Sequence, residues 1–532
     1  MFRMRVPPIL TSKYPRILLW VAGITLLFIG YTSGLSHNPP GFQVDESAIA
    51  YNAYLVSRTG VGESGTRFPL YFQMFTEGFT QYVSPTQVYL LALVFRFVSP
   101  SILAARIFSA FWVFAACLLL GLLAKRISGR VVIGIIVAAI ALLTPWFFDI
   151  RGLVFEPHFV PFAVALFLIT LYDAQAKERW NWRTVASLAS ALALLTYCYT
   201  SGRLLGALLA LGLILFAISA QRLIGVIQTW LLYGLTLVPI FLFDRHHPQA
   251  LVKRLYEISY IRPGVPWREI ASEFIRRYLE DQSLYPLLMT GDSHPRHHVH
   301  GCGGAILFAT LILAVISLLL VFARRWSDPW WRFVLYGLAA SIVPGAITNW
   351  PFHELRLLSY AVFLLLLTVP ALEWLLPSQE SKKIGDERNH ETIGSQQPQA
   401  AIGDTGSSRS ARLAILILLL AATILQGIRY QTIFRRDGPK RPFEFDVPYK
   451  AAYDAATAEP IRPIYLQDGK WGPGYMHAMW YATIEGRPKS EFVHLTGRGR
   501  VPSGSIVITS NENCENCEII KRSGVYLLYR AN

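Results

Sequence analysis

The sequence predicts an all-α polytopic membrane protein with a small α/β extracytoplasmic domain at its C-terminus. Three observations carry that prediction. Hydrophobic residues make up 53% of the 532-residue chain and charged residues only 16%, with a positive mean hydropathy, a balance typical of multi-span proteins. Apolar windows approaching the roughly 20 residues that a crossing needs recur about 11 times. Lys and Arg gather in alternate connecting loops, as membrane topology demands.

In chain order the windows are 17–33, 103–124, 131–148, 159–172, 185–199, 204–220, 223–243, 304–322, 333–348, 355–376 and 413–427. Segment 90–98 is too short to cross and contains Arg96, so it reads as an interfacial helix. The N-terminus (Arg3, Arg5, Lys13, Arg16), "KRISGR" (125–130), "AKERWNWR" (176–183), "AQR" (220–222) and "RRWSDPWWR" (324–332) all fall on one side when the windows are counted. That side is the cytoplasm, which places the N-terminus inside, the C-terminal domain outside and the chain in the plasma membrane. The net charge of +15 is met by this bias and by anionic lipid, and calls for no nucleic-acid partner.

The core, 1–376, carries two long outer loops, 34–100 and 244–303. Segment 377–412 is polar and nearly free of large apolar residues, so it reads as a disordered cytoplasmic linker before the last span, 413–427. In the remainder, 428–532, "RPIYLQ", "GSIVITS" and "GVYLLYRA" read as strands and "GPGYMHAMWYATIEG" as a helix.

Chemistry-bearing residues collect in the outer loops. "VDESAIAYNAYLVSRTG" opens with adjacent acids, Asp45 and Glu46, directly after the first span. Asp45 suits the N-cap of a helix that Gly60 ends, which accounts for one acid; the pair also suits an active site. "FDIRGLVFEPH" supplies Asp149, Arg151, Glu156 and His158; "TYCYTSGR" supplies Tyr197, Tyr199 and Arg203. "GDSHPRHHVHGCGG" supplies Asp292, Arg296, His297 and His298; "NWPFHELR" supplies His353, Glu354 and Arg356. Arg and His together can grip a phosphate while a carboxylate takes a proton from an attacking hydroxyl or amine. The histidine run at 294–300 can also be read as a metal site. "CENC" is a lone pair without a second one, so Cys514 and Cys517 read as a disulfide rather than a zinc site.

With those stretches in place, and with "SPSILAARIFSAFW", "IYLQDGKWGPGY" and "VYLLYR" beside them, the chain resembles the GT-C membrane glycosyltransferases. The nearest are bacterial relatives of the protein O-mannosyltransferases and of the transferase that adds aminoarabinose to lipid A. The resemblance implies a polyprenyl-phosphate sugar donor, transfer on the outer face with inversion, and a lipid, glycan or protein acceptor. It makes Asp45 the base or acceptor-positioning acid and Glu46 similar to the second acid of the mannosyltransferase motif. It makes Arg356 the holder of the lipid phosphate, with His353, Arg296, His297, Arg203 and Tyr199 as further donor contacts. Glu77, Asp149, Arg151 and Glu156 become supporting or acceptor-side residues. No cofactor is implied beyond a divalent metal, on which relatives differ. Two departures stand out: "TQYVSP" lacks the lysine that some relatives place after the loop acid, and Arg151 sits one residue further from its glutamate. A transporter or flippase for a lipid-linked sugar, or a polysaccharide ligase, is the competing expectation. A phosphate leaving group needs no second catalytic acid, unlike the alkoxide of a glycosidase, so one base and a cationic clamp suffice.

Overall fold

The computed structural model describes residues 13–75, 81–376, 406–469, 472–495, 499, 501–511, 514 and 517–532. Among them, six helices are long and apolar enough to cross a membrane: Ile102–Ser128, Glu156–Gln175, Ala220–His246, Phe308–Arg325, Leu358–Leu375 and Arg409–Lys440. Shorter apolar helices cover Ile17–Thr32, Pro85–Phe97, Val131–Leu143 and Thr200–Phe216. Several windows break where proline falls. Window 131–148 splits into Val131–Leu143 and Pro145–Ile150, and window 333–348 into Pro329–Ala340 and Val343–Ala346. A proline lacks the N–H that a continuing helix would use and starts a new one instead.

The helices differ in what covers them. Leu358–Leu375 is 89% buried by its neighbours and forms the centre of the bundle, whereas Ala220–His246 and Arg409–Lys440 are each only 17% buried. Their exposed faces carry Leu231 and Leu418, apolar surface that a bilayer covers. Ile102–Ser128 and Val131–Leu143 cross closely at Gly121 and Gly134; a Cβ on Gly121 would stand 2.6 Å from the Gly134 carbonyl oxygen.

Helix Gly406–Asp437 extends window 413–427 at both ends. This corrects two expected boundaries: 406–412 is helical rather than linker, and 428–437 continues the helix toward the C-terminal domain. The apolar run fixes only the bilayer core of such a helix, and its polar ends carry no hydrophobic signal. The rest of the expected linker, 377–405, lies outside the described residues.

Beyond the bundle, β1 (Phe72–Met74) pairs antiparallel with β2 (Gln81–Val83) beside helices Val44–Thr59 and Pro85–Phe97. The C-terminal domain is a five-stranded sheet of β3 (Ile464–Gln467), β4 (Phe492–Leu495), β5 (Ile506–Thr509), β6 (Cys517–Ser523) and β7 (Tyr526–Ala531), in the order β4-β3-β5-β7-β6. β3 runs parallel to β4 and β5, while β7 runs antiparallel to β5 and β6. Helix Tyr475–Glu485 connects β3 to β4 and packs on Val44–Thr59. Trp480 lies sealed between Phe42 and Phe95, with ring centroids 5.7 and 6.0 Å away. First loop and C-terminal domain therefore share one apolar core. Cys514 is bonded to Cys517, the first residue of β6.

Candidate active site

The acid pair sits on the first turn of helix Val44–Thr59, and its two members face opposite surroundings. Gln43, not Asp45, is the N-cap: its side-chain oxygen accepts the Asp45 N–H at 2.6 Å, and Glu46 Oε2 accepts the Gln43 N–H at 2.9 Å. That reciprocal box satisfies the helix start without Asp45, which corrects the capping expectation; Gly60 does end the helix, at φ 70°. Glu46 is fully buried, and its other oxygen accepts the Val154 N–H at 2.9 Å. Its carboxylate thus ties the first loop to segment 151–155, one residue from Asp45. Arg106 lies within electrostatic reach of Glu46 and donates to the carbonyls of Leu35, Pro39 and Gly41.

Asp45 is only partly buried, and among the described residues its one side-chain hydrogen bond is a long one, 3.3 Å from Gln81 Nε2. Burial raises its pKa; Arg296 and Arg254 pull it back and Asp446 pushes it up again, for a net rise. Further charged groups gather within electrostatic reach. Glu156 interacts with both Arg203 and Asp45 and accepts the Ser84 N–H. Tyr199 interacts with Arg356, Glu156 and Arg254. Arg356 donates to Thr348 Oγ1 at 2.8 Å, and Arg203 stacks over Tyr71 with its guanidinium 4.7 Å from the ring centre. The structure thus brings together Asp45, Glu156, Tyr199, Arg203, Arg296 and Arg356. One carboxylate with a nearly idle acceptor set stands among guanidinium groups, an arrangement able to hold an anion and accept a proton beside it.

Two histidine–carboxylate clusters lie where loop 291–304 meets loop 349–357. In the first, Asp292 Oδ2 stands 2.8 Å from His297 Nδ1, and the rings of His294 and His353 each lie 4.7 Å from that of His297. In the second, Asp149 binds His298 Nδ1 at 2.7 Å and takes the Tyr430 hydroxyl; His298 Nε2 reaches the Gly303 carbonyl at 2.8 Å. Although burial works against charge there, Asp149 and Glu354 hold His298 up at about 9. Glu354 and Asp292 clasp the two loops reciprocally, each backbone N–H donating to the other's carboxylate at 3.2 and 3.0 Å.

Two expected site residues lie elsewhere. Arg151 is buried against Phe148 and Phe434 and donates to the backbone oxygens of Tyr31 and Phe148, so it pins the first and last helices rather than joining that group. Asp149 belongs to the His298 lock. Glu77 lies outside the described residues. Four residues that sequence reasoning missed belong here: Arg254, Arg106, Asp446 and His477. Asp446 Oδ2 accepts the Val44 N–H at 3.2 Å, and His477 Nδ1 meets Ser47 Oγ at 3.0 Å. The one available signal was Asp446 before Val-Pro, a helix-start pattern.

No family model matches the sequence, and no curated protein is similar to it by sequence. In structure the chain is similar to ArnT from Cupriavidus metallidurans in the apo state, with TM-score 0.57 and 11% identity over 97% of this chain and 98% of that one. It is equally similar to the same protein bound to undecaprenyl phosphate, at TM-score 0.56, 11% identity and the same coverage. The likeness is one of fold, and it runs through nearly the whole of both chains.

Proposed function

We propose that this chain is an integral membrane glycosyltransferase that moves a sugar from a polyprenyl-phosphate donor to a hydroxyl or amine acceptor. The observation that carries the reading is Asp45: a partly buried carboxylate with one long hydrogen bond, set among Arg296, Arg254 and, through Glu156, Arg203. The fold shared with ArnT, which binds undecaprenyl phosphate, supports the donor class. In the proposed reaction Asp45 takes the acceptor proton, the acceptor atom attacks the anomeric carbon from the far side, and the carbon–oxygen bond to phosphate breaks. The electron pair leaves on the phosphate, whose charge the arginines, Arg356 foremost, neutralise. The sugar inverts because attack and departure occupy opposite faces. All of the about 11 apolar windows cross the membrane in this reading, with the N-terminus cytoplasmic and Asp45 and the C-terminal domain outside.

The test compares the purified native chain with Asp45→Asn on membrane-extracted polyprenyl-phosphate sugars, following the sugar–phosphate bond by mass spectrometry. Donor consumed by the native chain and at least about 10²-fold more slowly by the variant is the expected result. Equal consumption removes Asp45 as base. No consumption, with lipid-linked sugar crossing reconstituted vesicles, replaces the transferase by a transporter.

A further inference from the structure

The two histidine–carboxylate clusters differ in one respect that matters for ligand binding. In the Asp149–His298–Glu354 cluster both imidazole nitrogens of His298 are already engaged, by a carboxylate and by a carbonyl. That leaves His298 no free nitrogen for a ligand. In the other cluster His353 Nδ1 is buried and has no hydrogen-bond partner among the described residues. His297 engages Asp292 through Nδ1 only, among the described bonds. A buried imidazole nitrogen without a partner carries an unmet desolvation cost, and His353, unlike His158, stands beside two further ligand-type side chains.

We infer that Asp292, His297 and His353 form a binding site for one divalent transition-metal ion of the zinc type. Each offers one ligand atom, and the three atoms lie within 4.8 Å of one another. An ion about 2 Å from each is reached by side-chain shifts under about 1 Å. Two imidazoles and one carboxylate are a ligand set that zinc takes with its fourth position open. The set is also held in advance. Asp292 is fixed by the N–H groups of Glu354 (3.0 Å) and His294 (2.8 Å), and Phe352, next to His353, donates its N–H to Asp281 at 2.6 Å. The ligands thus come from two loops that the Asp292–Glu354 clasp already joins, so binding orders little that is not ordered. His294, stacked on His297, covers the site on one side. Arg356 interacts with both Asp292 and His353, which makes the open position one that an anionic ligand can share. Sequence spacing alone does not reveal the site, because His353 arrives from 56 residues beyond His297 while the neighbouring His298 goes to the other cluster.

The test counts metal rather than turnover, so a chain that holds zinc and transfers no sugar overturns the function proposed above and leaves this site standing. The full chain in detergent is loaded with Zn²⁺, freed of excess by gel filtration and assayed by plasma mass spectrometry. One zinc per chain is expected in the native protein and in His300→Ala, whose histidine is exposed on the same loop. His297→Ala and His353→Ala should retain at least ten-fold less. His353→Cys keeps a third ligand, so after loading with Co²⁺ it should gain a sulfur-to-cobalt charge-transfer band that the native protein lacks. No retained zinc in the native chain, equal retention in the alanine variants, or a Cys variant that binds cobalt without the band would each overturn the assignment.

Discussion

The surroundings of Asp45 and of Glu46 begin one residue apart and are physically opposite. Around Glu46 each oxygen is engaged: two backbone N–H groups bind it at 2.9 Å, and the side chain is sealed under the shared core. Around Asp45 a single long contact leaves the carboxylate nearly unspent, and the neighbours are charges rather than apolar rings. The difference teaches how one motif divides its labour. The acid that holds the helix in place is buried with both oxygens engaged; its neighbour on the same turn is left with a weakly bonded carboxylate.

Breaking the comparison starts with Asp45→Asn. Turnover should fall by about 10²- to 10⁴-fold, the scale of a positioned base, while thermal unfolding stays at or above the native midpoint. The sign follows from linkage: a folded-state pKa raised above the ordinary 3.8 gives stability that is complete at low pH and lost as pH rises through the folded value. Ionised Asp45 therefore weakens the native state at neutral pH, and a neutral amide does not. Glu46→Ala should behave the other way. Removing its carboxylate leaves two buried N–H donors unmet, at about 1–3 kcal/mol each, which chemical denaturation would read as lost stability. Arg356→Ala tests the cationic wall. The loss of one charge-assisted contact to phosphate, about 1.5–3 kcal/mol, should raise the donor KM by about 10- to 10²-fold. The smallest effect sharpens the picture: the acid limb of the pH–rate profile should stand above the ordinary aspartate range, and Asp446→Asn should move it toward lower pH, since Asp446 is one of the groups raising the pKa of Asp45.

Much of this was legible in the sequence, for reasons that particular residues make plain. The apolar windows gave the helical bundle because bilayer and bundle core both select the same side chains, and "RPIYLQ", "GSIVITS" and "GVYLLYRA" fall on strands β3, β5 and β7. Asp45 and Arg356 were found because charge at the edge of an apolar run is conspicuous. What stayed hidden depends on contacts between distant segments. Asp446 meets Val44 across 402 positions, and no local pattern announces that. The part Glu46 plays in starting the helix was hidden because Gln43 replaces the usual Ser or Thr of a capping box. Arg151 has the composition of a site residue but turns toward backbone oxygens between helices. Window 333–348 breaks because Pro344 falls inside it.

The shared core of the first loop and the C-terminal domain sets an order of events in biosynthesis. Ser47 and His477, the two sides of that interface, are 430 positions apart. At about 5–20 residues per second, their meeting follows the emergence of Asp45 by roughly 20–90 seconds. During that interval the first loop has neither Trp480 to close its apolar face nor Asp446 against the first turn of its helix. The packing of helix Val44–Thr59 is therefore completed from the last segment, and a chain cut short before the C-terminal sheet leaves that helix without the partners that cover it.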